Sequence, residues 1–481
     1  MGPEKGSFLP LYSRIFRNRD PYATPARGWS SGDLDLFDRN KYRLANCVSQ
    51  TGRLTTRRAS LDVSIVANTK DNAQDKKASS QTTRGVPLLD LARQHGPLLS
   101  QFSESLNRVC QSGWFVLGPE VAKLEESVAK YSDAQYAVGC ASGSDALLLA
   151  MMACGIGDGD EVILPSFTFF ATASAVTRLG ATPIFADIDP VSFNISPAAI
   201  ESLITPKTKA IIPVHLFGRC AEMDQIVRIA KSASLAVIED CAQAIGAEFQ
   251  GRRAGSMGEI GCFSFYPTKN LGGAGDGGML TSNSDALADS LQLLRGHGMR
   301  PRYYHKAIGI NSRLDAFQAA ILNIKMPLLD QWSHMRQTNA KRYTEMFEAI
   351  GLDEVIGVPD PGNDIRHVWN QYVIRVPNNR RNELRKHLTD VNIGTEIYYP
   401  LGLHRQECFQ YLGQTDLPET DRAAAEVLAL PIFPELTAEE QQQVVETIAL
   451  FFANGKAGHC LPGPKFLKHP SQKHHSTSGG G

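Results

Sequence analysis

No apolar run in this chain approaches the roughly 18 residues that a membrane-spanning helix requires, so no membrane partner is expected. Neither charge predominates. The 49 Lys plus Arg stand against 50 Asp plus Glu, and no overall field draws the protein to nucleic acid or to a membrane surface. Cysteine is sparse and unpatterned. The nine cysteines are odd in number and scattered, with no Cys-x-x-Cys pair and no metal-ligand spacing. That excludes a disulfide framework and a sequence-encoded metal site, and it suits reduced thiols in the cytoplasm. Internal repeats are also lacking.

What is present is length and periodicity. A chain of 481 residues can bury a sizeable core, enough for two domains. Residues 1–85 hold 15 Lys plus Arg against 8 Asp plus Glu, a net of +7, with little apolar periodicity; disorder is expected there. The arginines and serines of that extension fit an organelle-import peptide, but its acidic residues oppose one. Residues 455–481 are rich in Gly, Pro, His and Ser and read as a second disordered tail, with His474 and His475 solvated. Between them, strand-like runs at Glu161 to Leu164, Pro183 to Ala186, Ala210 to Val214, Leu235 to Ile238 and Cys262 to Tyr266 alternate with helix-like stretches. This alternation predicts an α/β fold with a mainly parallel sheet. The large domain is expected over 86–330. A helical pattern from Leu314 to about Phe347 leads into a smaller C-terminal α/β domain over 331–454.

Four segments carry chemistry. In Ser264-Phe265-Tyr266-Pro267-Thr268-Lys269-Asn270, a lysine follows an apolar strand, with a serine before it and the glycine-rich run Gly272 to Gly278 behind it. A pyridoxal phosphate Schiff base needs such an amine, a hydroxyl within reach of the phosphate, and backbone that passes close to a bulky ring. A solvated lysine at a strand end has the same local pattern. The strand Leu235 to Ile238 ends in Glu239-Asp240-Cys241-Ala242-Gln243. Asp240 there can hold the pyridine nitrogen protonated and Gln243 can reach the ring hydroxyl, while a simple helix cap explains the aspartate equally well.

In the third segment, a strand-like stretch from Tyr136 runs through Ser142-Gly143-Ser144 into a helix-favouring run from Ala146 to Met152. The unpaired N–H groups at such a helix start make a phosphate cradle, although any capped helix begins this way. The fourth is Pro165-Ser166-Phe167-Thr168-Phe169-Phe170, where Phe169 can stack on a pyridine face or belong to the core. All four lie at strand ends, and open α/β sheets bind ligands beyond the carboxyl ends of their strands. Gly273-Ala274-Gly275-Asp276-Gly277-Gly278 also fits G-x-G-x-x-G, but Met279-Leu280-Thr281 after it reads as a strand rather than the helix a dinucleotide site needs.

In their order along the chain the segments resemble the sugar aminotransferases of the DegT/StrS type, a branch of the fold-type I pyridoxal phosphate (PLP) enzymes, over about residues 86 to 454. The resemblance implies Lys269 as the Schiff-base lysine and Asp240 on the ring nitrogen. It further implies Gln243 near the ring hydroxyl, Phe169 on the ring face, and Gly143, Ser144 and Ser264 around the phosphate. Within Gly309 to Asp315, it places Asn311 at the phosphate held by the other subunit of a homodimer and Arg313 on the substrate side. Tyr399 and His404, in the run Tyr398 to His404, would lie near the sugar. Dehydratase relatives carry histidine at the lysine position, and the lysine here favours amino transfer. The implied reaction moves an amino group from glutamate to a keto-deoxysugar linked to a nucleotide, for amino-sugar or surface polysaccharide biosynthesis. The alternative is a PLP-binding regulator of the same fold without turnover.

Overall fold

The computed structural model describes residues 85–413 and 415–454. The disorder expected at the two ends falls outside the described residues, apart from Gly85. The strand-like runs form a seven-stranded sheet of β1 (Tyr136–Cys140), β2 (Glu161–Pro165), β3 (Thr182–Ala186), β4 (Thr208–Ile211), β5 (Ala236–Asp240), β6 (Ile260–Ser264) and β7 (Gly278–Ser282), in the order β1-β7-β6-β5-β4-β2-β3. From β6 to β3 every pairing is parallel, and β7 alone runs against its two neighbours.

Side-chain alternation splits the strands between two cores. Ile163, Ile211, Val237 and Phe263 face a layer with Val121, Leu124, Met223 and Ile226. Their neighbours Val162, Leu164, Ile238 and Cys262 face Leu147, Leu149, Met151 and Val176 on the other side. Burial on both faces is why these strands read as continuous apolar runs instead of an alternating pattern.

The expected helix from Leu314 to Phe347 is interrupted. It forms as Ala316–Lys325 and Leu329–Ala349, joined by a single tight turn over Met326–Leu328. Pro327 offers no N–H to continue the helical ladder. Beyond it, the antiparallel pair β8 (Tyr372–Arg375) and β9 (Val427–Leu430) covers a third core of Tyr343, Phe347, Tyr372, Leu428 and Ile448. Val86 and Leu89 also pack in this core, and Val86 pairs in parallel with Ile393. The first described residues are thus built into the C-terminal core, a placement that linear position did not suggest.

Candidate active site

The ends of β1, β2, β5 and β6 meet on one edge of the sheet. After β1, the hydroxyl of Ser142 accepts from the Asp145 N–H at 3.1 Å and caps the helix Gly143–Ala153. The N–H groups of Gly143 and Ser144 sit in its first turn, where no carbonyl of the helix can reach them. Gly143 lies against the end of β6: a Cβ there would come within 2.7 Å of Ser264 Cβ and 3.1 Å of its Oγ. Two elements distant in sequence therefore place a helix N-terminus and a hydroxyl side by side, an arrangement suited to an anion.

Asp240 ends β5 and is buried. Its Oδ1 accepts from the Ala242 N–H at 3.1 Å and its Oδ2 from the Thr172 hydroxyl at 2.9 Å. Burial pushes this carboxyl above the usual range, opposed by those two hydrogen bonds and by the Lys269 charge. Thr172 escaped the sequence reading. The only signal was a second threonine four residues after Thr168, one helical turn away. The adjacent Glu239 points to the opposite side, as strand alternation requires. It binds His215 Nε2 at 2.9 Å and the N–H groups of Gly255, Met257 and Gly258. Cys241 lies close enough to complete a metal-like triad with His215 and Glu239. The carboxylate is already saturated, however, and His215 Nδ1 accepts from the Ala221 N–H, which suits a structural pin beneath Asp240.

Lys269 sits half-buried in the turn after β6, its N–H bonded to the Tyr266 carbonyl at 2.9 Å. Burial draws its amine down to about 8, against the upward pull of Asp240. Near neutral pH such an amine is neutral and nucleophilic far more of the time than an ordinary lysine. The run after it is glycine-rich for a steric reason, since a Cβ on Gly272 would lie 2.3 Å from the Pro267 carbonyl oxygen. The G-x-G pattern ends in strand β7 and opens no helix, as its sequence context indicated.

Phe169 precedes the helix Phe170–Arg178 and keeps 59% of its surface exposed, its ring centroid 6.3 Å from that of Tyr399. Tyr399 accepts from Gln243 Nε2 at 3.3 Å, and Gln243 Oε1 accepts from the Phe217 N–H at 2.6 Å. Burial, with the Asp240 charge added, pushes the Tyr399 phenol well up, so it stays neutral. The structure thus gathers Asp240, Gln243, Tyr399 and Phe169, as well as Gly143 with Ser264.

His404, expected near the sugar, is turned inward. Its ring is buried, with Nδ1 2.6 Å from the Ser166 hydroxyl and Nε2 3.2 Å from Asp421 Oδ1. Nδ1 and the backbone N–H of His404 fasten its loop to Ser166 after β2, whereas Nε2 faces Asp421 without a hydrogen bond. Asn311 is exposed, while Ser312 behind it accepts from the Ala141 N–H at 3.1 Å. Arg313 has a buried Nε without a partner.

A buried carboxylate with no cation in ion-pair contact among the described residues, a lysine of lowered basicity, and an N-terminal cradle that one added Cβ would fill together fit PLP. Fold and site define a PLP-dependent aminotransferase. The chain belongs to the DegT/DnrJ/EryC1/StrS aminotransferase family, whose model matches residues 98–449. It is 50% identical over 370 residues to a protein of Geobacillus stearothermophilus named pleiotropic regulatory protein, covering 76% of this chain and 98% of the relative. Over 363 residues it is 44% identical to the UDP-N-acetyl-3-dehydro-alpha-D-glucosamine 3-aminotransferase of Acidithiobacillus ferrooxidans, covering 76% of this chain and 97% of the relative. The crystal structure of S. venezuelae DesV superposes with a TM-score of 0.74 at 39% identity, covering 77% of this chain and 99% of DesV.

Proposed function

We propose that this aminotransferase moves the amino group of glutamate to the keto group of a nucleotide-linked sugar, and that it works as a cytoplasmic homodimer. The observation that carries this reading is that Lys269, an amine of lowered basicity, lies within electrostatic reach of the buried Asp240 carboxylate, on strand ends that also bring Gly143 against Ser264. The relative that acts on a UDP-linked 3-dehydro sugar supports the substrate class. The seven described cysteines are all free thiols, which suits a reducing compartment.

PLP, when bound, supplies the electron sink that makes the carbon of an amino acid acidic. The residues do the rest. Gly143, Ser144 and Ser264 would hold the phosphate, and Phe169 would cover the ring face. Gln243 would meet the ring hydroxyl, and Asp240 would hold a proton on the ring nitrogen. Lys269 Nζ would anchor the cofactor and, as a free amine, would carry the proton between the donor carbon and the cofactor along the face that it occupies. Tyr399 and Arg313 lie on the substrate side. His404 acts behind them by fixing the loop that carries Tyr399. Asn311 reaches the phosphate held by the other subunit. Tyr303, Tyr304 and Ile308, in the same loop as Asn311, are 74%, 70% and 91% exposed, an apolar surface of the kind that a second subunit covers.

The regulatory name of the Geobacillus stearothermophilus relative favours a second reading, a PLP-binding regulator without turnover. One experiment separates the two. With glutamate alone, an aminotransferase loses the visible absorbance of its lysine-bound cofactor and releases one equivalent of 2-oxoglutarate. A binder does neither. A different amino acid that succeeds where glutamate fails would change the donor and keep the enzyme.

A further inference from the structure

Lys325 lies near the end of the helix Ala316–Lys325 and is wholly buried. Its Nζ donates to the Gly272 carbonyl at 2.5 Å and sits 3.1 Å from Nε2 of His95, over the Trp332 ring at 5.7 Å. No carboxylate is in ion-pair contact with it among the described residues, and Glu435 acts only at longer range. Burying an ammonium without an ion partner is costly, and an apolar side chain would fill the same space at no such cost. A lysine here calls for a reason.

The reason lies in what it grips. Gly272 follows Lys269 by three residues, at the point where the chain closes against Pro267. Seven residues before Lys325, two helical turns away and so on the same face, Gln318 takes the next stretch. Its Oε1 accepts from the Ala274 N–H at 2.8 Å, and its amide would lie 2.8 Å from a Cβ on Gly273 or on Gly275. The near end of the turn is tied elsewhere: Asn270 donates to the Val368 carbonyl at 2.9 Å and accepts from Asn370 at 2.8 Å. Leu271 is buried in the core and the Gly273 N–H reaches back to the Phe265 carbonyl at 2.8 Å, but three glycines leave the rest of this turn few side chains, so Lys325 and Gln318 hold it from outside.

We infer that Lys325, with Gln318 beside it, is a positioning residue that holds the Lys269 turn from behind through the Gly272 carbonyl, keeping the Lys269 amine in its buried place near Asp240. The inference rests on the reading of Lys269 as the cofactor lysine. His95, as the neutral acceptor of another ammonium proton, aims the amine at Gly272 and links the short helix Leu91–His95 to the same turn.

The test uses Lys325→Met, which fills the space without a donor, and Lys325→Gln, which restores a neutral donor. In the apoprotein, the acylation rate of Lys269 is followed against pH by mass spectrometry, and exchange of the Gly273 and Ala274 amides is followed alongside. Loss of a charged hydrogen bond predicts at least about tenfold faster exchange at those amides in the Met variant. A displaced midpoint for Lys269 should accompany it, and the Gln variant should recover much of both. A purely structural lysine would lower global stability and leave the Lys269 profile unmoved; that result in a folded Met variant overturns the inference. If the Met variant does not fold, Gln318→Leu tests the same clamp, and unchanged exchange at Ala274 with an unchanged Lys269 profile overturns it equally. Borohydride fixation of the cofactor in the wild type keeps the two readings apart. A label away from Lys269 would remove the assignment of that lysine and leave the measured clamp intact.

Discussion

The hydroxyl of Thr172 donates to Oδ2 of Asp240 across 2.9 Å, from a helix that begins after β2 to a carboxylate that ends β5. This bond opposes the burial that raises the Asp240 pKa, so its loss must raise that pKa further. Thr172→Val should therefore move the acid limb of the kcat/KM profile upward and cost about tenfold in rate at neutral pH, the scale of one hydrogen bond to a charged group. Thr172→Ser should stay near the wild type. An unshifted acid limb in the Val variant would mean that the bond does not tune Asp240.

Lys269→Ala should fold normally by circular dichroism and lose at least about 10²-fold in transamination, the low end for a general acid–base group. Borohydride reduction of the wild type should join the cofactor to the peptide containing Lys269. Attachment to another lysine would refute the assignment.

Asp240→Asn should keep the cofactor bound and slow the reaction by about 10²-fold or more, since an amide cannot hold the ring nitrogen protonated. A second effect needs no turnover. The Asp240 charge raises the Lys269 pKa against burial, so neutralising it should drop the apoprotein amine below about 8. The pH dependence of Lys269 acylation reads this directly, and an upward move would contradict it.

A site shared between subunits predicts complementation. Lys269→Ala and the double variant Asn311→Ala with Arg313→Ala should each be inactive. A mixed dimer holds one site whose lysine comes from the second chain and whose asparagine comes from the first, so part of the activity should return. Dead mixtures in which heterodimers demonstrably form would mean that each site is complete within its own chain.

Much of the fold was legible because its signals are local. Apolar runs such as Val162-Ile163-Leu164 and Cys262-Phe263 became doubly buried strands, and the cap at Ser142 and the pliable run after Lys269 could be read from neighbouring residues. The break at Pro327 is local too, yet the apolar periodicity that continues on both sides hides it.

By itself, the sequence determined the strand and helix order, the lysine and aspartate at strand ends, and membership of the aminotransferase family. The tertiary structure alone decided which polar groups meet. Thr172 reaches Asp240 from 68 residues away, and Lys325 reaches Gly272 from 53. Only the structure turned His404 inward to Ser166 and joined Val86 to the C-terminal core. The physical reason is that backbone propensity and side-chain period act over a few residues. A buried hydrogen bond depends on where the packing of whole elements brings two groups together, and no pattern along the chain records that distance.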